Sequence, residues 1–381
     1  MVRNRLMKYG TTLKIFLGLL LLPSALSAQT NALSDHLFTD IADHKLDDFS
    51  RIEAAFILSG VTSEDSLHAY MDWYDALVER IKAFRFDPID HMSSANKVFN
   101  YIRTTLYDEY QEKSTTLVDI VKDRRYNCVS STLLYNLVCQ DLGWTTQAFE
   151  TPTHVYTLFN EFDKDVIVEN THPMGFDIMK NLDVYSRYLA QFYPKNQVYK
   201  IGLDRLYAHE NSHGRVINNT ELLGLLAYNQ AYFAMEKGDY ARAYDMVLVA
   251  QDFNRDSPSN VNFELHLYFK WGRECFEAGR FYDAFEVLAD GAYRYPGDKG
   301  LAKNARAAFF NTLHQTWRGK KWLQFQQLLT ETEPLAILTG QDWRQVEAML
   351  GNWKKYFGNS LNSIALAQVA ARLQAVKQLI R

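Results

Sequence analysis

The amino-acid sequence predicts a protein of mixed class, in which a small α+β domain lies between a helical lead-in and an all-α array of helical repeats. Up to about residue 120, apolar residues recur every three to four positions, which is the period of a helix face. Beyond Asp123, one helical stretch is followed by three short β-rich runs. From Asn219 onward the pattern is helical again, and small residues recur at a fixed spacing.

The first element, residues 1–28, is predicted to be a signal peptide. It carries four basic residues and no acidic one, then the apolar run IFLGLLLLP and the small-residue stretch SALSAQ, which offers a cleavage site after Ala28. This order is typical of a secretory signal, and the apolar run is too short to span a bilayer. We expect an exported protein, periplasmic or secreted, without a membrane span after cleavage; an uncleaved anchor is the alternative.

The charge balance excludes one class of partner. Without residues 1–28, 37 basic residues stand against 45 acidic ones, a formal charge of −8. Nucleic-acid binding requires a basic face, so we expect no nucleic acid as partner.

Residues 29–120 form the predicted helical lead-in. Three segments show helical periodicity, and TSED and SSAN are typical helix starts. Pro88 interrupts the pattern. The sequence shows no evident chemistry in this region.

Residues 121–218 form the predicted α+β domain. One helix covers about residues 128–142 and ends at Gly143, and the runs WTTQAFET, HVYTLFN and DVIVEN then predict three strands, which we expect to be antiparallel. The helix holds two of the three cysteines, Cys128 and Cys139, about 16 Å apart at about 1.5 Å rise per residue. That separation is too large for a disulfide. With Cys275 the cysteine count is odd, so at least one thiol is free and requires burial or a function.

Cys128 is the candidate nucleophile. It follows Asn127, a suitable helix cap, and the start of a helix favours the reactive thiolate form of a cysteine. Cys139 lies three turns further along, among leucines, and is expected to be core.

A thiolate needs a base, and the base needs a group that orients it. His154 opens the second strand-like run, and Glu169 and Asn170 end the third. Neighbouring antiparallel strands place one of these two beside His154, because alternation lets only one of them face it. Spacing alone leaves open whether Glu169 or Asn170 does so.

The stretch RRYNCVSSTLLYNLVCQDLGWTTQAFETPTHVYTLFNEFDKDVIVENT resembles the transglutaminase-like superfamily, which has a papain-like fold. The family pattern is a cysteine that opens a helix, then LGW before a strand, then HV in a strand, then a strand that ends in an acid. The match covers about residues 121–173. It implies that Cys128 is the nucleophile, His154 the base and Glu169, in place of the usual aspartate, the third member, with Asn170 as the alternative.

The activity that this resemblance implies is that of a thioester-forming cysteine enzyme on protein or peptide substrates. Such an enzyme is an amide hydrolase or peptidase, or an acyl transferase, and it needs no cofactor. The sequence does not choose between hydrolysis and transfer.

Residues 219–331 show a repeat. Gly238 and Gly279 are 41 residues apart, and so are Ala243 and Ala284. Glycine in the turn and alanine where two helices touch resemble the tetratricopeptide repeat, whose period is about 34 residues; the loop RDSPSNV accommodates the excess. A third, degenerate unit is expected over residues 302–329, with Gly319 in its turn, and residues 332–381 are expected to form capping helices. Arrays of this kind bind proteins or peptides in a concave groove.

Two other functions remain open. One is a non-catalytic, peptide-binding scaffold in which the transglutaminase-like domain is disabled. The other is a zinc site, because HENSH matches the metal motif H-E-x-x-H with His209 and His213 as ligands and Glu210 as base. Helix propensity across HENSHG is poor and a third ligand is not obvious, with Glu236 only a remote one. We therefore expect a polar surface loop there and no metal.

Overall fold

The computed structural model describes residues 32–87, 89–161, 164–332, 337–357 and 363–379. The predicted signal peptide, residues 1–28, lies outside the described residues. The chain divides into two compact units, of which one ends at Val261 and the other begins at Asn262. Among the described residues, no helix combines the length and the apolar character needed to cross a membrane.

The first unit begins with five helices: α1 Ala32–Asp40, α2 Arg51–Leu58, α3 Glu64–Lys82, α4 His91–Leu106 and α5 Leu117–Asp123. Side-chain caps fix the starts of α2 to α5. Ser50 and Glu53 form a capping box at α2, Ser63 caps α3 within the predicted TSED start, and Thr116 caps α5. Helix α4 begins earlier than predicted, because Asp90 caps it by accepting a hydrogen bond from the Ser93 N–H at 2.8 Å.

The predicted α+β pattern follows. Strands β1 Glu109–Tyr110 and β2 Arg125–Tyr126 pair in parallel. Helix α6 Cys128–Asp141 comes next, and then strands β3 Thr146–Glu150, β4 Val155–Glu161 and β5 Lys164–Val168. A sheet of order β5-β4-β3-β6 is antiparallel throughout, and its edge strand β6 Arg215–Ile217 was not predicted. The two-residue strands and β6 are too short to show a period-2 pattern.

The sheet topology brings the beginning of β4 and the end of β5 to the same end of the sheet, because neighbouring strands run in opposite directions. Helix α6 packs across β3 and β4 and is buried along almost its whole length. Its only half-buried residue before Gln140 is Cys128, at the first position.

Three short helices connect β5 to β6: α7 Leu182–Leu189, α8 Lys195–Ile201 and α9 Leu206–Asn211. They cover one face of the sheet. Side chains from both layers form a buried cluster: Tyr156, Leu158, Ile167, Ile178, Tyr185, Leu189 and Leu206.

A helical hairpin completes the first unit, with α10 Asn219–Glu236 and α11 Tyr240–Phe253. Gly238 lies in its turn with φ of 76°, a conformation that glycine adopts without strain. Helix α10 packs on α6 and β3. The side chain of Asn136 on α6 links these elements, since it donates to Asn219 at 2.8 Å and accepts from Thr157 on β4.

Helix α12 Pro258–Glu277 crosses the boundary between the units, and α13 Phe281–Arg294, α14 Lys299–Arg318, α15 Trp322–Thr332, α16 Gly340–Phe357 and α17 Ser363–Leu379 belong to the second unit. Gly279 has φ of 72° in the turn after α12, and Ala284 is fully buried. A Cβ at Gly272 would lie 2.5 Å from Leu288, so glycine permits close approach of α12 and α13 there. These helical hairpins are compatible with a repeat-like array.

Candidate active site

Cys128 is the first residue of α6, and the preceding Asn127 builds that helix start. The Asn127 side-chain oxygen accepts hydrogen bonds from the N–H groups of Val129 at 2.9 Å and Ser130 at 3.1 Å. The Ser130 hydroxyl accepts in return from the Asn127 N–H at 3.0 Å. This capping box holds Cys128 at the positive end of the helix dipole, where an anion is favoured.

The first turn of α6 also leaves one N–H group free. The Asn127 side chain takes those of Val129 and Ser130, and the Ser131 N–H bonds to the Asn127 carbonyl at 3.1 Å. The N–H of Cys128 has neither a cap nor an intrahelical acceptor within the described chain. It is available to a group that approaches the thiol.

His154 directly precedes β4, and its backbone is held at both ends. Its N–H donates to the Thr151 hydroxyl at 2.9 Å, and its carbonyl accepts from the Thr151 N–H at 2.8 Å. The ring Nε2 lies 2.7 Å from Glu169 Oε2, and both side chains are almost fully buried, with 1% and 0% exposed. An ionised carboxylate only accepts, so Nε2–H is the donor in this bond.

Glu169, and not Asn170, contacts the imidazole. Glu169 Oε1 accepts from the Thr171 N–H at 3.1 Å and from the Thr171 hydroxyl, which orients the carboxylate. Asn170 points away from His154 and donates to the hydroxyl of Thr157 at 2.8 Å. The alternation expected at the end of the third strand places the two side chains on opposite sides.

The Cys128 thiol influences the pKa of the His154 ring. Burial by itself lowers the pKa of His154, but the charges of Glu169 and Cys128 and the hydrogen bond to Glu169 outweigh burial and raise the pKa well above the usual 6.5. Since Glu169 holds Nε2, the nitrogen left for the thiol is Nδ1, which is buried and forms no hydrogen bond with a described residue. The raised pKa of His154 therefore favours the protonated ring.

Aromatic rings shield the imidazole from water. Phe192 stacks on His154 with ring centroids 5.3 Å apart and an interplanar angle of 23°, and Tyr188 meets it edge-on at 6.2 Å. Exclusion of water strengthens the electrostatic coupling between His154 and its charged neighbours.

Glu210 of the HENSH motif supports the segment that carries His154. It is buried, with 3% of its surface exposed, and its Oε1 accepts from the hydroxyls of Thr151 and, at 2.7 Å, Thr153. We call Glu210, Thr151 and Thr153 the carboxylate clamp. Because Thr151 in turn bonds both backbone groups of His154, the clamp fixes where strand β4 begins.

The expectation of a polar surface loop at HENSHG is wrong for its first half. Helix α9 extends through His209 and Glu210 to Asn211, since the buried bonds of Glu210 override weak helix propensity. The rings of His209 and His213 lie 5.5 Å apart. Among the described residues, no group of three or more histidine, cysteine or acidic side chains could hold a metal ion.

A cleft of about 460 Å³ opens in front of Cys128 and His154. Tyr110 of β1 and Phe192 form part of its lining, with ring centroids 6.5 Å apart. One face of α10 lines it as well, through residues at helical spacing: Leu225, Tyr228, Asn229 and Tyr232.

Sequence reasoning missed these lining residues. The lead-in was expected to carry no chemistry, yet Tyr110 and Glu112 from its last segment line the cleft. The stripe on α10 is visible in the sequence as apolar residues at helical spacing, but it does not differ there from a packing face. Glu210 gave no signal beyond the metal motif.

Comparisons with known proteins do not assign the chain to a family. No protein-family model matches it, and no curated protein matches it. Among solved structures it is similar to menin, from a crystal structure described as revealing the binding site for the Mixed Lineage Leukemia (MLL) protein, with 13% identity over 91% of this chain and 96% of that chain. The TM-score is 0.30, which is too low to support a conclusion about fold or function.

Proposed function

We propose that the protein is a transglutaminase-like enzyme with a papain-like catalytic domain, which uses Cys128, His154 and Glu169 to transfer acyl groups from protein or peptide amides. One observation carries the proposal. Glu169 holds Nε2 of a buried imidazole at 2.7 Å, and the ring's other nitrogen is left for a thiol at a helix start.

In the first step, the Cys128 thiolate attacks the carbonyl carbon of an amide and a carbon–sulfur bond forms. The imidazolium of His154 then gives its Nδ1 proton to the departing nitrogen, and the carbon–nitrogen bond breaks. A thioester and a neutral amine result. The free N–H of Cys128 is placed to donate to the oxyanion of the tetrahedral intermediate.

In the second step, His154 takes a proton through Nδ1 from water or from a second amine, which attacks the thioester. The carbon–sulfur bond breaks and the thiolate–imidazolium pair is restored. Water gives hydrolysis and an amine gives acyl transfer. Glu169 stabilises the charged ring in both steps because it stays hydrogen-bonded to Nε2.

The helical hairpins are assigned to substrate or partner recruitment in this proposal. Support comes from α10, the first helix of the predicted repeat region, because its residues line the same cleft as Cys128. Export through residues 1–28 remains part of the proposal as well.

The test is the rate at which iodoacetamide, a neutral reagent, alkylates Cys128 at pH 7, with each adduct located by peptide mass spectrometry. We expect alkylation at least about tenfold faster than in the same protein unfolded in guanidinium chloride, because an activated thiol is ionised to a greater extent. The Cys128→Ala variant serves as control and should lose this fast adduct while it keeps its fold by circular dichroism.

Slow labelling of Cys128 in the folded protein, at or below the unfolded rate, would favour the scaffold function instead. Stoichiometric zinc in elemental analysis of the purified protein, lost in His209→Ala, would revive the metal site and contradict the geometry around Glu210.

A further inference from the structure

The charges that line the cleft are unbalanced. Two carboxylates line it, Glu112 and Glu150, and neither a lysine nor an arginine is among its described lining residues. Glu150 is buried and its charge is paired, since Arg215 lies 3.0 Å from it and Ser257 donates to it at 3.1 Å. Glu112 is exposed, and its side chain has no ion pair or hydrogen bond within the described chain. The cleft therefore holds one carboxylate without a counter-ion.

Glu112 is held beside the nucleophile. Its carbonyl accepts a hydrogen bond from the side-chain amide of Asn127 at 2.9 Å, and Asn127 is the cap that begins α6. The segment that follows β1 is thereby tied to the helix start that carries Cys128. Burial raises the pKa of Tyr110, and the charges of Cys128 and then Glu112 raise it further, so both charges act on one phenol in the cleft.

Part of the remaining lining is aromatic and partly exposed. Tyr110 is 37% and Tyr232 39% exposed, and Phe192 and Tyr228 are half-buried. The faces of such rings carry partial negative charge and attract cations. An unpaired carboxylate and several accessible rings in one cleft are complementary to a cationic side chain and repel an anionic one.

We propose that the cleft recognises a lysine or arginine side chain of the acyl-donor polypeptide, held by Glu112 and the rings of Tyr110 and Tyr232 next to the amide that Cys128 attacks. The inference rests on the proposed function, because it takes Cys128 as the attacking group. The cation is recognised and not consumed: a carboxylate favours the protonated form of an amine, and a protonated amine has no lone pair with which to attack a thioester.

The experiment compares three methanethiosulfonate reagents of different charge on the full chain. They carry a trimethylammonium-ethyl group, a neutral methyl group or a sulfonate-ethyl group, and each forms a disulfide with Cys128 and releases methanesulfinate. Rates are divided by those measured with 2-mercaptoethanol, which removes the intrinsic reactivity of each reagent. We expect the cationic reagent to be favoured over the neutral one by about tenfold, from one nearby carboxylate and one or two ring contacts.

Matched variants test whether the preference for the cationic reagent arises in the cleft. In Glu112→Gln the preference should fall to within about threefold, whereas Glu109→Gln, an exposed carboxylate of β1 outside the lining, should keep it. Tyr232→Leu should reduce it by about threefold. Tyr199→Leu, at a side chain that is 92% exposed and outside the lining, should not.

The outcomes separate the two proposals. Fast labelling by the neutral reagent with no charge preference, or with a preference that Glu112→Gln leaves unchanged, would overturn the cationic subsite and leave the activated thiol standing. Slow labelling of Cys128 by all three reagents would instead overturn the proposed function, and the subsite with it.

Discussion

Helix α6 carries two cysteines whose surroundings differ in almost every respect. Cys128, its first residue, is half-buried and lines a cleft with His154. Cys139 is fully buried, and burial raises the pKa of its thiol, an effect that a hydrogen bond with Tyr135 only partly offsets. The same side chain is therefore held as a neutral thiol at Cys139, whereas at Cys128 it lies at a helix start and lines a cleft with a histidine. Position on the helix and neighbouring groups, not residue type, make this difference.

The largest expected effect is the ratio of reactivity between the two thiols. In the folded protein, iodoacetamide should label Cys128 faster than Cys139 by a factor on the order of 10⁴, because Cys139 becomes accessible only when α6 opens, at a cost of several kcal/mol. The measurement is a time course of both adducts by mass spectrometry.

The Cys139→Ala variant shows whether the reactivity of Cys128 depends only on its own position on the helix. Cys139→Ala should leave the rate at Cys128 unchanged and cost about 1 kcal/mol of unfolding free energy in a urea titration, as for a small cavity. Comparable labelling of Cys128 and Cys139 in the folded state would remove the contrast on which the proposed enzyme depends.

Replacement of His154 should make Cys128 behave as an ordinary thiol. We expect His154→Gln to slow alkylation at pH 6 by about 10²-fold, because only a small fraction of an unassisted thiol is ionised there. The rate is measured between pH 5 and 9 in the wild type and the variant, and Cys139 serves as an internal reference whose labelling should not respond to the substitution. An unchanged rate at pH 6 would mean that the helix start alone activates the sulfur.

Glu169→Gln tests the third member of the site. The variant keeps a hydrogen-bond acceptor for Nε2–H and removes the charge that raises the pKa of His154. His154 should therefore lose its ring proton at lower pH, which is measured by NMR of isotope-labelled histidine, and alkylation near neutral pH should slow by about tenfold. Asn170→Ser is the control, and a shift in that variant instead of Glu169→Gln would favour the alternative member.

The charge of Glu169 also affects the stability of the folded protein through His154. A raised pKa in the folded state means that His154 contributes stability that is fully present below its unfolded pKa, about 6.5, and is lost as pH rises through the folded value. We expect the Tm of the wild type to fall across that interval and the Tm of Glu169→Gln to depend less on pH there. Equal slopes of Tm against pH in the wild type and in Glu169→Gln would contradict the coupling between Glu169 and His154.

The contrast along α6 was open to prediction because its determinants are local. Asn127 before Cys128 marks a helix start, and leucines around Cys139 mark a core. His154 and Glu169 stand at the ends of strand-like runs, so their approach follows from antiparallel pairing. The walls of the cleft were not predicted, since Tyr110 and Tyr232 come from segments far apart in the sequence, and only the packing of α10 on α6 places Tyr232 there.

The role of Glu210 could not be predicted from the sequence either, because its motif suggested a metal base and its burial depends on tertiary contacts.

The carboxylate clamp holds His154 through Thr151 rather than by direct contact, so the loss of the clamp should have the smallest effect on Cys128. Glu210→Ala should slow alkylation of Cys128 at pH 6 by about threefold, as His154 becomes less well placed. Glu210→Gln, which still accepts from both hydroxyls, should restore most of the rate. An equal loss at Cys128 in both variants, together with faster labelling of the buried Cys139, would mean that the clamp supports the fold and not the imidazole.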